Sequence, residues 1–326
     1  MDSLYEFGIG FIQSLQTNFS PALDGFMSTV SFLGRIEFYL VLIPFIYWTI
    51  DRRIGVRTLL ILIYVDFVSS SFKLFFHQPR PYWLGGVKAL SIEPSYGIPS
   101  SHASDSLAVG GFLGTRINKS WFWMFIGILI FLIGLSRLHL GVHFPHDVLF
   151  GWLIGFLVLW GFTKWQGAVR DWLHGKSLSM QIGLGFLDSL FIIILGLIIR
   201  LVVNGIPDPV SWSSFSVDAR AITHFFTLAG AAFGTYAGYA LMRHQARFDA
   251  KGTWSKRIIR YIVGIIGLLA LYFGLDIIFA TIAPDESTLG YILRYLRYGL
   301  ATFWATFLAP WIFLKTRLAD LEVLNQ

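Results

Sequence analysis

Apolar runs long enough to cross a lipid bilayer recur along this 326-residue chain, and they constrain its fold before any motif is read. A bilayer core of about 30 Å takes about 20 residues of helix at about 1.5 Å each. Nine segments fit: roughly Phe26–Ile50, Leu59–Phe76, Ala103–Thr115, Ser120–His139, Asp147–Phe162, Leu178–Val203, Ala219–Met242, Tyr261–Ala283 and Tyr291–Leu314. The third is short, and Gly34, Arg35 and Glu37 interrupt the first. Hydrophobic residues make up 55% of the chain and charged ones 13%, about half the roughly 25% of soluble domains. A soluble protein of this size could not hide that much apolar surface. Disorder, collagen and coiled coil fail on the same figures. The expected fold is all-α: a polytopic transmembrane helical bundle of about nine spans.

Ahead of the first span, Met1–Thr17 carries Asp2 and Glu6 but no Lys or Arg, which is not the pattern of a secretory signal peptide. Leu4, Phe7, Phe11, Ile12 and Leu15 recur there at helical spacing and predict an interfacial helix.

The formal charge of +6 is explained by topology rather than by a nucleic-acid partner. Cytoplasmic loops are enriched in Lys and Arg. Sixteen of the 25 basic residues lie in the loops after odd-numbered spans or in the tail, among them Arg52, Arg53, Arg116, Lys119, Arg170, Lys176, Arg243, Arg257 and Lys315. The alternate loops include the acidic turn Pro284-Asp285-Glu286 and the loop Asn204–Val217, which has no Lys or Arg. Those loops are expected to face the periplasm, cell exterior or organelle lumen. With no cysteine in the chain, disulfides, thiolate nucleophiles and Cys-bound zinc are excluded together.

Three stretches at that outer face break the apolar texture. They are Lys73–Pro81 at the end of the second span, Pro99-Ser100-Ser101-His102 before the third, and Ser136–Asp147 between the fourth and fifth. Lys73, Arg80 and Arg137 would bring three positive charges to the edge of a low-dielectric region, where each needs an anionic partner. Arg presents a planar fork that suits phosphate oxygens, and Lys a point charge. Ser100 and Ser101 precede a helix whose first backbone N–H groups are free to bind an anion. His143 and Asp147, four apart, would share one helical face. The carboxylate could then hold one ring nitrogen while the other attacks phosphorus. His102 would protonate the leaving oxygen.

Lys-x6-Arg-Pro, Pro-Ser-x-His and Ser-Arg-x5-His-x3-Asp, in that order, resemble the type 2 phosphatidic acid phosphatase (PAP2) superfamily, over about residues 55–165. The resemblance implies a phosphohistidine on His143, His102 as general acid and Asp147 orienting His143. It also implies phosphate binding by Lys73, Arg80, Ser100, the backbone around Ser101, and Arg137. Position 101, Ser here, is usually Gly in that family; a Ser keeps the amide and adds a hydroxyl. On this basis the chain divides into an interfacial helix (1–25), a PAP2-like catalytic membrane core (26–170) and additional C-terminal transmembrane helices (171–326). The expected substrate is a lipid phosphate or isoprenyl diphosphate presented by membrane lipids, with no cofactor and no metal. Nine spans, Arg80-Pro-Tyr-Trp and His143-Phe-Pro-His are also similar to glucose-6-phosphatases, which lack an Asp at position 147. A sugar-phosphate phosphatase or phosphotransferase is therefore the alternative.

Blander readings stand beside these. Taken singly, Lys73, Arg80 and Arg137 could snorkel to lipid headgroups. His77, His139 and His146 read as interfacial or packing residues. A metal site would need several of these histidines to converge, yet no His-Glu-x-x-His pair is present. Asp66, Asp188 and Asp276 fall inside spans, where pairing within the bundle is the simpler account. A transporter using Asp188, Asp276 and Arg297 is the rival from another class.

Overall fold

Wherever the sequence runs apolar for more than about four turns, a helix forms. The computed structural model describes residues 3–216, 218–245 and 247–322. Met1 and Asp2 of the predicted interfacial helix, and Val217 of the predicted outer loop, lie outside the described residues. The helices, in chain order, are α1 (Ser3–Phe19), α2 (Asp24–Phe32), α3 (Ile36–Thr49), α4 (Arg52–Phe76), α5 (Pro81–Leu84), α6 (Ser101–Ile117) and α7 (Ser120–His139). They continue as α8 (Pro145–His174), α9 (Leu178–Val203), α10 (Thr223–Gln245), α11 (Trp254–Ala280), α12 (Thr288–Phe303) and, after a π-helical turn over Trp304–Leu308, α13 (Ala309–Lys315). Among the described residues the one β-type pairing is an isolated bridge between Phe248 and Leu321. The chain is an all-α, multi-pass integral membrane protein.

Among the described residues six helical stretches are long and apolar enough to span a membrane, and the bent pair α2–α3 makes a seventh. The other two predicted spans are the 17-residue α6, most of whose side chains are buried in protein, and α12–α13, which the π turn interrupts. At the Gly34-Arg35 break the axes of α2 and α3 differ by 47°.

The described residues of Met1–Tyr39, Tyr64–Lys164 and Gly196–Ala221 form one compact unit. Within it α1 is fastened to the loop after α5 and to the end of α7. The Gln16 amide donates to the carbonyls of Lys88 and His139, both at 2.9 Å, and accepts from the Lys88 N–H. Ile12 is buried against this surface, while Leu4, Phe7 and Phe11 face outward. His139 Nε2 meets Asp24 Oδ1 at 2.7 Å, joining the end of α7 to the start of α2.

Leu40–Ile63, Trp165–Leu195 and the described residues of Ile222–Gln326 form the second unit. Here α10 and α12 approach through small residues. A Cβ at Gly230 or Gly234 would stand 2.2 or 2.1 Å from the carbonyls of Tyr295 or Gly299, the close helix contact that small residues permit in membranes. Pro310 has no N–H to give the carbonyl of Thr306, four residues back. Tyr47 Oη donates to that carbonyl at 3.0 Å, and Trp48 Nε1 to the carbonyl of Ala305 at 2.9 Å. Two buried aromatics thus satisfy the backbone that the π turn leaves open. Asp276 is ion-paired with Arg297.

Candidate active site

Local chemistry fixes where each predicted side chain emerges. The prolines at 79 and 81 stop α4 shortly after Lys73, because X-Pro steps disfavour helix. Pro81 then opens α5, with Arg80 in extended backbone at its N-cap. Arg137 sits in the last turn of α7, and Gly141, at φ +73°, reverses the chain into His143. A Cβ at Gly141 would lie 2.3 Å from the Lys88 carbonyl, so both conformation and space call for glycine. Asp147 is in the first turn of α8. Gly151 and Gly155 let α8 cross the start of α6: a Cβ on either would come within 2.5 Å of the carbonyl of Ser100 or Ser104. That crossing places the Ser100 N–H 3.0 Å from the Asp147 carbonyl.

All three predicted stretches meet in the first unit, and Lys73, Arg80, Ser100, Arg137, His143 and Asp147 are buried. His143 is held at both ring nitrogens. Its Nδ1 faces Asp147 Oδ2 at 3.3 Å, and its Nε2 faces Arg80 Nη1 at 3.1 Å. An arginine only donates, so Nε2 carries the lone pair and Nδ1 the proton, directed at the carboxylate. Asp147 Oδ2 also accepts from the Phe144 N–H at 2.9 Å, which fixes the carboxylate. Desolvation, then the charges of Arg80, Lys73 and Arg137 and the ring of His102, hold the His143 pKa well below the usual 6.5. The ring is therefore neutral at pH 7.

Ser100 Oγ, His102 Nε2 and Arg137 Nε are buried without a hydrogen-bond partner. A buried polar group without a partner is costly, and these three belong to three separate predicted motif positions. Ser101 is the first residue of α6, its N–H beside Ser100 at the anion-binding end of the helix. Gly34, at the bend between α2 and α3, leaves room for His102: a Cβ there would lie 3.1 Å from its Cδ2. His77 bonds the Phe75 carbonyl at 3.0 Å. Among the described residues no three His, Asp or Glu side chains are grouped to hold a metal ion.

Four contacts were not legible as site residues. Glu93 is ion-paired with Arg137 Nη2, and Ser31 Oγ accepts from Arg137 Nη1 at 2.6 Å. Ser95 receives Arg80 twice, Nε on its carbonyl at 2.5 Å and Nη2 on its hydroxyl at 2.9 Å. His146 Nε2 lies 3.3 Å from Asp147 Oδ1, the oxygen that His143 does not use. The interruption of the first span at Gly34 was the sequence signal near Ser31, and His146 lay in the His143-Phe-Pro-His run but read as a packing residue. Glu93 sits outside the spans. Burial pushes its carboxyl up, but Arg137, then Arg80 and His102, outweigh that and bring it down to about 2.

A neutral imidazole backed by a carboxylate, beside three cations and a helix N-terminus, is equipped for phosphoryl transfer. Comparison with known proteins agrees. The PAP2 superfamily profile matches residues 54–171, and the profile of the PAP2 superfamily phosphatase transmembrane extension matches residues 226–321. The chain belongs to the PAP2 superfamily and is a membrane phosphatase. It is 26% identical to glucose-6-phosphatase 3 of Bos taurus over 353 aligned positions, covering 96% of each chain. It is 26% identical to lipid phosphate phosphatase delta of Arabidopsis thaliana, over 52% of this chain and 45% of that one. With sphingosine-1-phosphate phosphatase 1 of Mus musculus it shares 25% identity, over 86% of this chain and 69% of the relative.

Proposed function

We propose that the protein hydrolyses a lipid phosphate or isoprenyl diphosphate at the outer membrane face through a phosphohistidine on His143. The observation that carries this reading is the meeting of His143, whose unprotonated Nε2 accepts from Arg80 Nη1, with Lys73, Arg80 and Arg137 beside the start of α6. Nε2 attacks phosphorus in line, and the bond from phosphorus to the leaving oxygen breaks. The three cations and the Ser100–Ser101 turn stabilise charge on the equatorial oxygens. His102 gives its proton to the leaving oxygen, then takes one from the water that cleaves the phosphohistidine and releases inorganic phosphate. Asp147 holds the Nδ1 proton throughout. The site faces the periplasm, exterior or lumen by the distribution of basic loops. An amphiphile suits that depth, because its chain stays in hydrocarbon while its headgroup reaches the cations.

A second reading has its own support. The likeness to glucose-6-phosphatase 3 runs the length of both chains, which favours a sugar phosphate, or an alcohol acceptor in place of water. Purified protein assayed on isoprenyl diphosphate, phosphatidate, sphingosine phosphate and glucose 6-phosphate decides between them. The lipid reading expects the highest kcat/KM on one of the three amphiphiles, and a preference for glucose 6-phosphate would replace it. In either case His143→Ala lowers phosphate release at least about 1,000-fold while expression persists.

A further inference from the structure

One five-residue segment, 93–97, meets all three cations assigned to substrate phosphate. Lys73 Nζ donates to the carbonyls of Tyr96 and Gly97, at 3.1 and 3.4 Å. Arg80 gives Nε and Nη2, its side-on fork, to Ser95. Arg137 gives Nη2 to Glu93 and Nη1 to Ser31, leaving only Nε. A phosphate gripping Arg137 side-on needs Nε together with Nη2. That second donor is the one Glu93 holds, so phosphate and carboxylate compete for one nitrogen.

The segment is built to stay in place. Tyr82 Oη donates to the Glu93 carbonyl at 3.1 Å and accepts from the Glu93 N–H at 3.3 Å. Tyr96 Oη donates to Asp208 Oδ2 at 2.8 Å, and Arg220 Nε donates to the same oxygen at 2.8 Å. Trp83 stacks on Phe215 at 5.9 Å and lies 5.7 Å from Trp212, which ties the 204–216 loop to the same patch. The loop that carries the segment leaves α5 through Gly85 and Gly86, both at positive φ, positions that turn about their backbone at low cost.

We propose that Glu93 is the internal anion of the phosphate seat: its carboxylate, presented by the strap 93–97, neutralises Arg137 in the empty enzyme and exchanges with the phosphoryl group of the substrate. The exchange breaks no covalent bond. It spares the empty site an unpaired buried guanidinium, and it sets phosphate affinity, because each binding event must displace Glu93 and each release restores it. Glu93 is a positioning and affinity-setting residue, and this role rests on the phosphatase site proposed above.

The test measures inhibition by inorganic phosphate and by orthovanadate on the purified full-length protein, with kcat and KM resolved separately. In Glu93→Gln the competing charge is gone and the size is kept. Inhibition constants for both anions fall about tenfold, KM falls with them, and kcat drops as phosphate leaves more slowly. Asp208→Asn loosens the Tyr96 anchor while leaving the site's charges untouched, and lowers the phosphate inhibition constant in the same direction. It carries the test if Glu93→Gln does not fold. Were Glu93 only a prop for Arg137, Glu93→Gln would weaken phosphate and raise KM. Unchanged or weaker anion inhibition in both variants, with wild type inhibited, overturns the exchange and leaves the site intact. Wild-type turnover indifferent to both anions overturns the site itself.

Discussion

His143 owes its readiness to its surroundings. A free imidazole is partly protonated near neutrality, but this one is buried beside three cations and stays neutral. Its pairing with Asp147 was legible from the four-residue spacing, and Lys73, Arg80 and Arg137 from being cations at the ends of apolar runs. Glu93 was not legible, because an acid in a polar loop is unremarkable in sequence; only the fold sets it on Arg137. Ser31 was hidden for the opposite reason, since a serine inside an apolar run ordinarily bonds its own helix. Glu93 leads to a pH prediction. Its carboxyl lies at about 2, below the usual 4.5, so the unfolded chain takes up its proton first. The stability it contributes is complete above about pH 5 and disappears as pH falls from about 4.5 through 2. The Tm gap between wild type and Glu93→Gln, followed from pH 7 to pH 3, is flat above pH 5 and narrows below; a gap independent of pH would contradict the assignment.

Two helix contacts carry most of the geometry at the scale of elements. The crossing of α8 over α6 brings His143 and Asp147 to the Ser100–His102 turn, and Gly151 has no room for a side chain there. Gly151→Ala forces the Ser100 carbonyl away from α8 and lowers kcat about 10- to 100-fold with expression retained; a wild-type rate would show the crossing to be slack. The other contact, in the second unit, is Tyr47 on the carbonyl that Pro310 leaves open. Tyr47→Phe strips that buried acceptor of its donor and costs about 1–3 kcal/mol, read as a lower Tm in detergent. Apolar runs announced both sets of helices. The interruption at Gly34 was visible too, but not that the resulting bend delivers Ser31 to Arg137 and room to His102. The brevity of α6 showed in its short apolar run, but the π turn could not be read from periodicity, because it depends on neighbours that supply its missing hydrogen bonds.

For the whole molecule, the proposed orientation, with the site at the outer face, rests on the charge asymmetry of the loops. The chain has no cysteine, so single introduced cysteines report sidedness without background. Val210, 94% exposed in the 204–216 loop, changed to Cys should react with an impermeant thiol reagent on intact cells or sealed vesicles of native orientation. Ser177→Cys, in the loop between α8 and α9, should react only after permeabilisation; the reverse pattern would move the site to the cytoplasmic leaflet. More specific than topology is the proposal that His143 takes the phosphoryl group. Rapid quenching of the full-length protein during turnover of a ³²P-labelled phosphate substrate tests it most directly. The account predicts an acid-labile, alkali-stable label on His143 in wild type and none in His143→Ala, whereas undiminished turnover by that variant, or label on another residue, would contradict it.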